Sequence, residues 1–381
     1  MRRAILLVLC LLLLSACAPR VVTLEPVHVR VDLKAGAKEP AVQKVGVIDT
    51  NLPPGELFEL GYKAYNENQL ELALAYFRAI VDQHPKSGDY SSAAYNAAVI
   101  LHRWNRFEDA LVMYEKVVEA KADAKDMLDA RFRMLACYYE LGRWAETLTL
   151  CDTVQRLYGR SLSADDQVEL AARRGVARFS LGETDAAEPL LKDAFHDYKI
   201  GLRRGDIVSE YAGAMAAYFL GMIERGRFES AQVAMGQDQE MARSMEVKAQ
   251  KLLDAQEWFL QSIEQDNAVW ATAAGHQIGR LYYDFFSSIQ NVPLPADITG
   301  KPDEELMYRC MLSDKVRVLL RKAMKIYDRT VQMGERLRVK NRWTEQTKQD
   351  LAEVEKLYIE DLKRCENVLP QQMGMLLPCD L

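Results

Sequence analysis

A pattern of small and aromatic residues that returns five times between residues 54 and 236 constrains the fold more than any other feature. In the first copy, Gly61 and Ala64 are followed at fixed distances by Ala73, Phe77 and Pro85. The copies begin near residues 54, 91, 128, 168 and 212. Apolar residues spaced three and four apart, repeated at such a period, indicate stacked helix pairs that cannot bury their apolar faces alone.

The composition agrees with a helical array. Among 381 residues there are only 20 Gly and 12 Pro, while 49% of the residues are hydrophobic and 27% are charged. So few turn-forming residues argue against a β-sandwich, and the balance excludes a disordered chain or a multi-span membrane protein. We therefore predict an all-α fold, an α-solenoid of helix–turn–helix repeats. The net charge of −6 gives no indication of nucleic-acid binding.

The spacing resembles the tetratricopeptide repeat (TPR), a helix–turn–helix unit of about 34 residues. The segment from Tyr138 to Trp144 is especially similar to the turn between the two helices, where Gly142 would take a left-handed conformation. The resemblance implies a groove for protein partners, lined by positions 5, 9 and 12 of each first helix. The predicted groove residues are Phe58, Tyr62, Tyr65, Tyr95, His102, Phe132, Tyr139 and Phe179. The alternative is that the chain's own tail or N-terminal segment fills this groove.

The repeats depart from the family pattern in two ways. Their steps exceed 34 residues, and Arg174 and Arg178 stand where apolar residues are normal, which makes the register of the fourth repeat uncertain. After residue 236 the motif fades but helical periodicity persists, so residues 237–365 are predicted to be degenerate hairpins, followed by a tail over 366–381. The four helices predicted there are Met241–Asp266, Trp270–Ile289, Glu304–Met333 and Thr344–Arg364.

A second resemblance covers about thirty residues of this degenerate part. From Ala323 to Val354, the order of a tyrosine, a glycine and an Arg-Trp-Thr triplet is similar to TPR proteins of the myxobacterial gliding-motility apparatus. The residues concerned are Tyr327, Gly334, Arg342, Trp343 and Thr344.

The N-terminus reads as a targeting segment. Two arginines precede an apolar run from Ala4 to Leu14, which is too short to span a membrane, so residues 1–16 are predicted to be a signal peptide. Leu14 to Cys17 resembles the lipobox of bacterial lipoproteins, which implies acylation of Cys17, and the family's sorting rule implies the outer membrane because Ala18, not Asp, follows the cysteine. We expect the protein to face the periplasm, and exposure at the cell surface is the alternative. The alternative is an ordinary signal peptide in which Cys17 has no role. Residues 17–53 are predicted to be an extended tether, unless Val27–Leu33 adds as a strand to a partner.

Five cysteines lie beyond these segments: Cys137, Cys151, Cys310, Cys365 and Cys379. An exported compartment permits disulfides, and Cys365 with Cys379 is the candidate pair, whereas Cys137 and Cys151 are predicted to be core residues.

Motifs for chemistry are missing from the sequence. It contains no phosphate-binding loop, no G-x-S-x-G, no H-E-x-x-H and no EF-hand, and its five histidines are scattered. We predict no enzyme activity, no cofactor, no metal, no nucleic acid and no small-molecule substrate. The predicted function is a scaffold for other cell-envelope proteins or their peptides, with gliding motility as the named process. The alternatives are an assembly factor binding precursors of outer-membrane proteins, and a cell-wall enzyme or its activator with chemistry between residues 267 and 381.

Overall fold

The protein is described by a computed structural model that covers residues 49–121, 123–234 and 238–368. These residues form thirteen helices and no strand, which confirms the predicted all-α class. The predictions for the signal peptide, the strand Val27–Leu33, the lipid anchor at Cys17 and the last cysteine, Cys379, lie outside the described residues.

The described residues belong to two compact units, which divide between Val208 and Ser209. The N-terminal unit contains α1 (Pro54–Asn66), α2 (Leu70–Gln83), α3 (Tyr90–Arg103), α4 (Phe107–Glu119), α5 (Ala124–Glu140), α6 (Trp144–Tyr158), α7 (Ala164–Ser180) and α8 (Thr184–Arg204). Each helix packs against the next one in sequence. This unit is therefore a TPR-like solenoid of four hairpins.

The four hairpins share one turn. Three residues join their helices, and the middle residue has a positive φ each time, at Asn68, Asn105, Gly142 and Gly182. The backbone N–H of the third turn residue donates to a carbonyl five residues earlier; Arg143 to Tyr138, at 2.8 Å, is one case. This bond satisfies a carbonyl at the helix end, and Gly or Asn tolerates the left-handed backbone. The prediction for Gly142 is confirmed.

Glycines let the two helices of a hairpin approach closely. A Cβ at Gly61 would lie 2.8 Å from the ring of Phe77, which is completely buried. In the fourth hairpin, Gly175 meets Leu191 in the same way, at 2.6 Å. The register of the fourth repeat is therefore regular, and the unexpected Arg174 finds its partner in another helix, Asp152 of α6, at 2.7 Å.

The C-terminal unit contains five helices: α9 (Tyr211–Ser230), α10 (Asp238–Ile263), α11 (Ala268–Gln290), α12 (Pro302–Arg336) and α13 (Arg342–Cys365). Consecutive helices pack together, and α11 also contacts both α9 and α13. From Trp270 to Gly279, α11 is buried on every face. The four helices predicted in this region are present, with ends that differ by up to three residues.

The fifth predicted repeat, beginning near residue 212, differs from the structure. A single helix, α9, continues through Gly226 to Ser230, and the next helix begins only at Asp238. Ion pairs between residues three and four apart cross this position: Arg225 with Glu229, at 2.7 Å, and Arg227 with Glu224. Such pairs favour a continuous helix.

A disulfide joins Cys310 to Cys365, with 5.4 Å between their Cα atoms. The candidate pair of Cys365 with Cys379 is therefore wrong. Because α12 and α13 run in opposite directions, the first turns of α12 lie beside the last turn of α13, although 55 residues separate the two cysteines. Cys137 and Cys151 are buried and free, as predicted.

Candidate functional site

The eight predicted groove residues lie on the first helices of the four hairpins, α1, α3, α5 and α7. We call the surface that these four helices form the first-helix face. Phe58, Tyr62 and Tyr65 lie on α1, Tyr95 and His102 on α3, Phe132 and Tyr139 on α5, and Phe179 on α7.

The aromatic rings differ in how far they reach into solvent. Tyr62 is 56% exposed, whereas the other seven residues are half-buried. The half-buried rings pack toward the second helix of their own hairpin: Phe58 lies 5.6 Å from Phe77, and Tyr139 lies 5.6 Å from Trp144. The first-helix face thus offers one projecting tyrosine on α1, with partly covered rings on the helices that follow.

Tyr95 links two hairpins across this face. Its hydroxyl donates to the Asp129 carboxylate on α5, and its ring packs edge-on against Tyr114 at 5.9 Å. Asp129 also faces Arg133, with 3.7 Å between Nε and Oδ2. Burial, together with the bond to Asp129, raises the pKa of Tyr95 to about 12, so the hydroxyl remains a donor. The Tyr95 ring is therefore held in place beside the Asp129–Arg133 ion pair.

His102 is an uncharged residue on the same face. Its ring packs edge-on against Phe107 at 5.3 Å, and its Nδ1 lies 3.4 Å from the Cys137 sulfur. Burial lowers the pKa of His102 to about 4, assisted by the charges of Arg133 and Arg173. Burial raises the pKa of Cys137 to about 12. A nucleophilic cysteine needs the opposite shifts, so this pair is a neutral core contact.

The lowered pKa of His102 makes the stability of the N-terminal unit depend on acid pH. Because the folded pKa lies below the unfolded one, this contribution to stability is complete above about pH 6.5 and is lost as the pH falls toward 4. We expect a loss of about 2–3 kcal/mol across that window. Urea titrations from pH 4 to 7, monitored by hydrogen exchange of α3–α5 peptides, measure it. His102→Gln should flatten the slope, and His196→Gln, at an exposed position, should keep it; equal slopes would refute the assignment.

Sequence reasoning missed a pair of charges that recurs on this face. Asp129 with Arg133 on α5 and Glu169 with Arg173 on α7 are both four residues apart, and the second pair follows the first by 40 residues. The turn glycines Gly142 and Gly182 are separated by the same step. Aligning the third and fourth repeats on those glycines is the signal that would have found the pairs.

The corresponding side of the C-terminal unit is filled by its own side chains. The rings of Tyr218 on α9 and Trp343 on α13 lie 6.2 Å apart, and the Gln277 amide of α11 donates to the Tyr218 hydroxyl at 3.3 Å. Gln277 in turn accepts from Arg225.

The described part of the chain contains neither a cluster of metal-ligating side chains nor a helix suited to crossing a membrane. Among those residues, no three His, Cys, Asp or Glu side chains are grouped so that they could hold a metal ion. None of the described helices combines the length and apolar character needed to cross a bilayer.

Comparison with known proteins bears on the fold alone. No protein-family model and no curated protein matches the sequence. One similar solved structure is a TPR protein from Bacteroides fragilis, 12% identical over 80% of this chain and 99% of that chain, with a TM-score of 0.26. Another is a TPR protein from Parabacteroides merdae, 14% identical over 80% and 98% of the two chains, with a TM-score of 0.39.

Proposed function

We propose that this protein is a scaffold of the bacterial cell envelope and that it binds protein partners through the first-helix face. The observation that carries the proposal is the arrangement on α1, α3 and α5: a projecting Tyr62, a fixed Tyr95 ring, and the Asp129–Arg133 pair beside it. Tyrosine buries a large area on binding and loses little conformational freedom, which makes it a common anchor at protein interfaces.

The chemistry of this face favours a peptide segment as the partner. Aromatic rings provide apolar contact, while Arg133 supplies donors and Asp129 supplies acceptors for main-chain or polar side-chain groups. Successive hairpins repeat these elements at intervals, so an extended or helical segment lying across α1, α3 and α5 would meet them in turn.

The test is partner capture with matched variants. We expect Tyr62→Ala, alone and with Tyr95→Phe, to reduce recovery of cross-linked envelope partners at least fivefold relative to wild type. Val112→Ala removes a side chain that is 49% exposed on α4, a second helix, and should leave recovery unchanged. Circular dichroism verifies that all variants are folded. Equal recovery with wild type and the tyrosine variants would contradict the proposal.

We also propose that lipid at Cys17 anchors the protein to the outer membrane on its periplasmic side. Three acyl chains anchor almost permanently, because each buried CH₂ contributes about 0.8 kcal/mol. The Cys310–Cys365 disulfide supports export, since stable disulfides are typical of exported proteins. Cys17→Ala is expected to move the protein from the membrane fraction to the soluble periplasmic fraction, with Cys10→Ala as the matched control. Membrane retention of Cys17→Ala would refute the anchor.

The identity of the captured proteins separates the finer alternatives. A gliding-motility adaptor, suggested by the similarity of Ala323–Val354, should capture components of the motility machine, and its deletion should stop gliding. An assembly factor should instead capture unfolded outer-membrane protein precursors.

A further inference from the structure

The last helix of the C-terminal unit, α13, is attached in an unusual way. Its buried residues are Thr344, Thr347, Asp350, Val354, Asp361 and Cys365, and only Val354 among them is aliphatic. By contrast, α11 buries Leu281, Phe285, Phe286 and Ile289 in its last three turns. The buried contacts of α13 are therefore mostly polar, and its apolar contacts come mainly from half-buried side chains such as Trp343.

Polar contacts attach the N-terminal half of α13. The Asn341 amide, which caps the helix, donates to the Thr272 hydroxyl of α11 at 3.0 Å. Two turns further on, the Asp350 carboxylate lies 2.9 Å from Nε2 of His276, also on α11. Such groups regain hydrogen bonds to water when a helix leaves, so separating them costs less than exposing an apolar face of equal size.

The C-terminal half of α13 is fastened covalently. Asp361 accepts hydrogen bonds from Ser313 and from Arg317, the latter at 2.9 Å, and one turn later the disulfide joins Cys365 to Cys310. The disulfide is a covalent attachment that water cannot replace.

Two buried polar atoms beneath α13 make no hydrogen bond. The His276 ring sits 5.4 Å from Trp343 and 5.9 Å from Tyr327. Its Nδ1 and the Tyr327 hydroxyl are both buried without a hydrogen-bond partner. Buried polar groups are normally satisfied, so this surface is incompletely matched by the helix that covers it.

We propose that α13 is a redox-latched strap: the Cys310–Cys365 disulfide holds it closed over α11, and reduction by a dithiol releases it and uncovers the His276 surface. In the reaction, one thiolate of the reductant attacks a protein sulfur and the S–S bond breaks. The reductant's second thiolate then attacks the reductant sulfur of this mixed disulfide and displaces the remaining protein cysteine. The reductant becomes a disulfide, while Cys310 and Cys365 become thiols, each taking up one of the two protons that the reductant releases.

The position of Cys365 gives the reductant a route. Cys365 is the last residue of α13, and its neighbours Arg364 and Glu366 are exposed. Helix ends open locally at low free-energy cost, so fraying of one turn brings the sulfur to solvent.

Hydrogen exchange of the full-length protein tests the strap. After addition of dithiothreitol to the folded protein, we expect amide protection to fall at least tenfold across α13 and to change less than twofold in α9 and α10. The variant Cys310→Ser/Cys365→Ser should show the same pattern without reductant. Cys137→Ala/Cys151→Ala, which removes the free buried cysteines, should respond to dithiothreitol as wild type does.

Two results would overturn the proposal. Uniform loss of protection in all five helices would show that the disulfide stabilises the whole C-terminal unit and does not act on α13 alone. Unchanged protection in α13, once mass spectrometry confirms reduction, would show that the other contacts suffice. Because dithiothreitol acts on protein that is already folded, a folding failure of the double variant does not affect the test.

Discussion

Phe77→Ala is expected to lower the free energy of unfolding of the N-terminal unit by about 3–5 kcal/mol. The Phe77 ring is completely buried. It fills the notch in α1, which is the space that the missing side chain of Gly61 leaves open, and a Cβ at residue 61 would lie 2.8 Å from the nearest ring atom. Removing the ring empties a space that rigid backbone surrounds on the α1 side, so the site cannot collapse well. Urea unfolding monitored by hydrogen exchange of α1–α4 peptides gives the value.

Tyr62→Ala is the matched control for this prediction. Tyr62 directly follows Gly61 in α1, but its side chain is 56% exposed, so its removal should change stability by less than about 0.5 kcal/mol. Similar losses of unfolding free energy in both variants would mean that packing of Phe77 against Gly61 does not stabilise the hairpin. The comparison also establishes that the variant used for partner capture remains folded.

Gly279→Val is expected to destabilise the C-terminal unit by about 3 kcal/mol. A Cβ at this position would lie 2.3 Å from the Tyr327 ring, which is itself completely buried between α11 and its neighbours. Neither backbone nor ring has room to move, so the added side chain must push α11 and α12 apart. The midpoint of urea unfolding, followed through peptides of α11 and α12, measures the effect.

The same substitution at Gly226 is the control. Gly226 is exposed on α9, and a Cβ there would have no neighbour within 4 Å. Gly226→Val should therefore stay within about 0.5 kcal/mol of wild type, because Val and Gly differ little in helix propensity. If Gly279→Val were equally harmless, the close approach of α11 and α12 would be refuted.

The fold of the N-terminal unit was largely predictable because its contacts repeat. Gly61, Phe77 and Gly142 each occupy the place that the periodic pattern assigns to them, and the packing of one hairpin determines that of the next. The turn residues Asn68 and Asn105 were not singled out, since asparagine carries a weaker turn signal than glycine.

The C-terminal unit could be predicted only as helices, not as a packed structure. His276 and Asp350 are 74 residues apart, and Cys310 and Cys365 are 55 apart; neither pair stands at a repeated position. Such contacts depend on how helices of unequal length stack, which local periodicity does not record.

The candidate site was predictable in part, less than the N-terminal fold and more than the packing of the C-terminal unit. The repeat positions located Tyr95 and His102 on the correct helices, but spacing alone could not show that Tyr95 bonds to Asp129 or that His102 stays neutral beside Cys137. Exposure, which distinguishes Tyr62 from the half-buried rings, depends on the neighbouring hairpin and needed the structure.

The packing of α1–α8 within each hairpin and against the next hairpin has a consequence for how the chain acquires its structure. A hairpin in the N-terminal unit needs mainly its own helices and the hairpins next to it in sequence, so a chain made from its N-terminus can fold this unit stepwise, without waiting for distant residues. The C-terminal unit has no such freedom, because α11 finds the partner of His276 only when α13 has been synthesised. Folding of the two units should therefore end with the docking of α13. A nascent chain that stops before residue 342 would contain a folded N-terminal unit and a C-terminal unit that lacks α13.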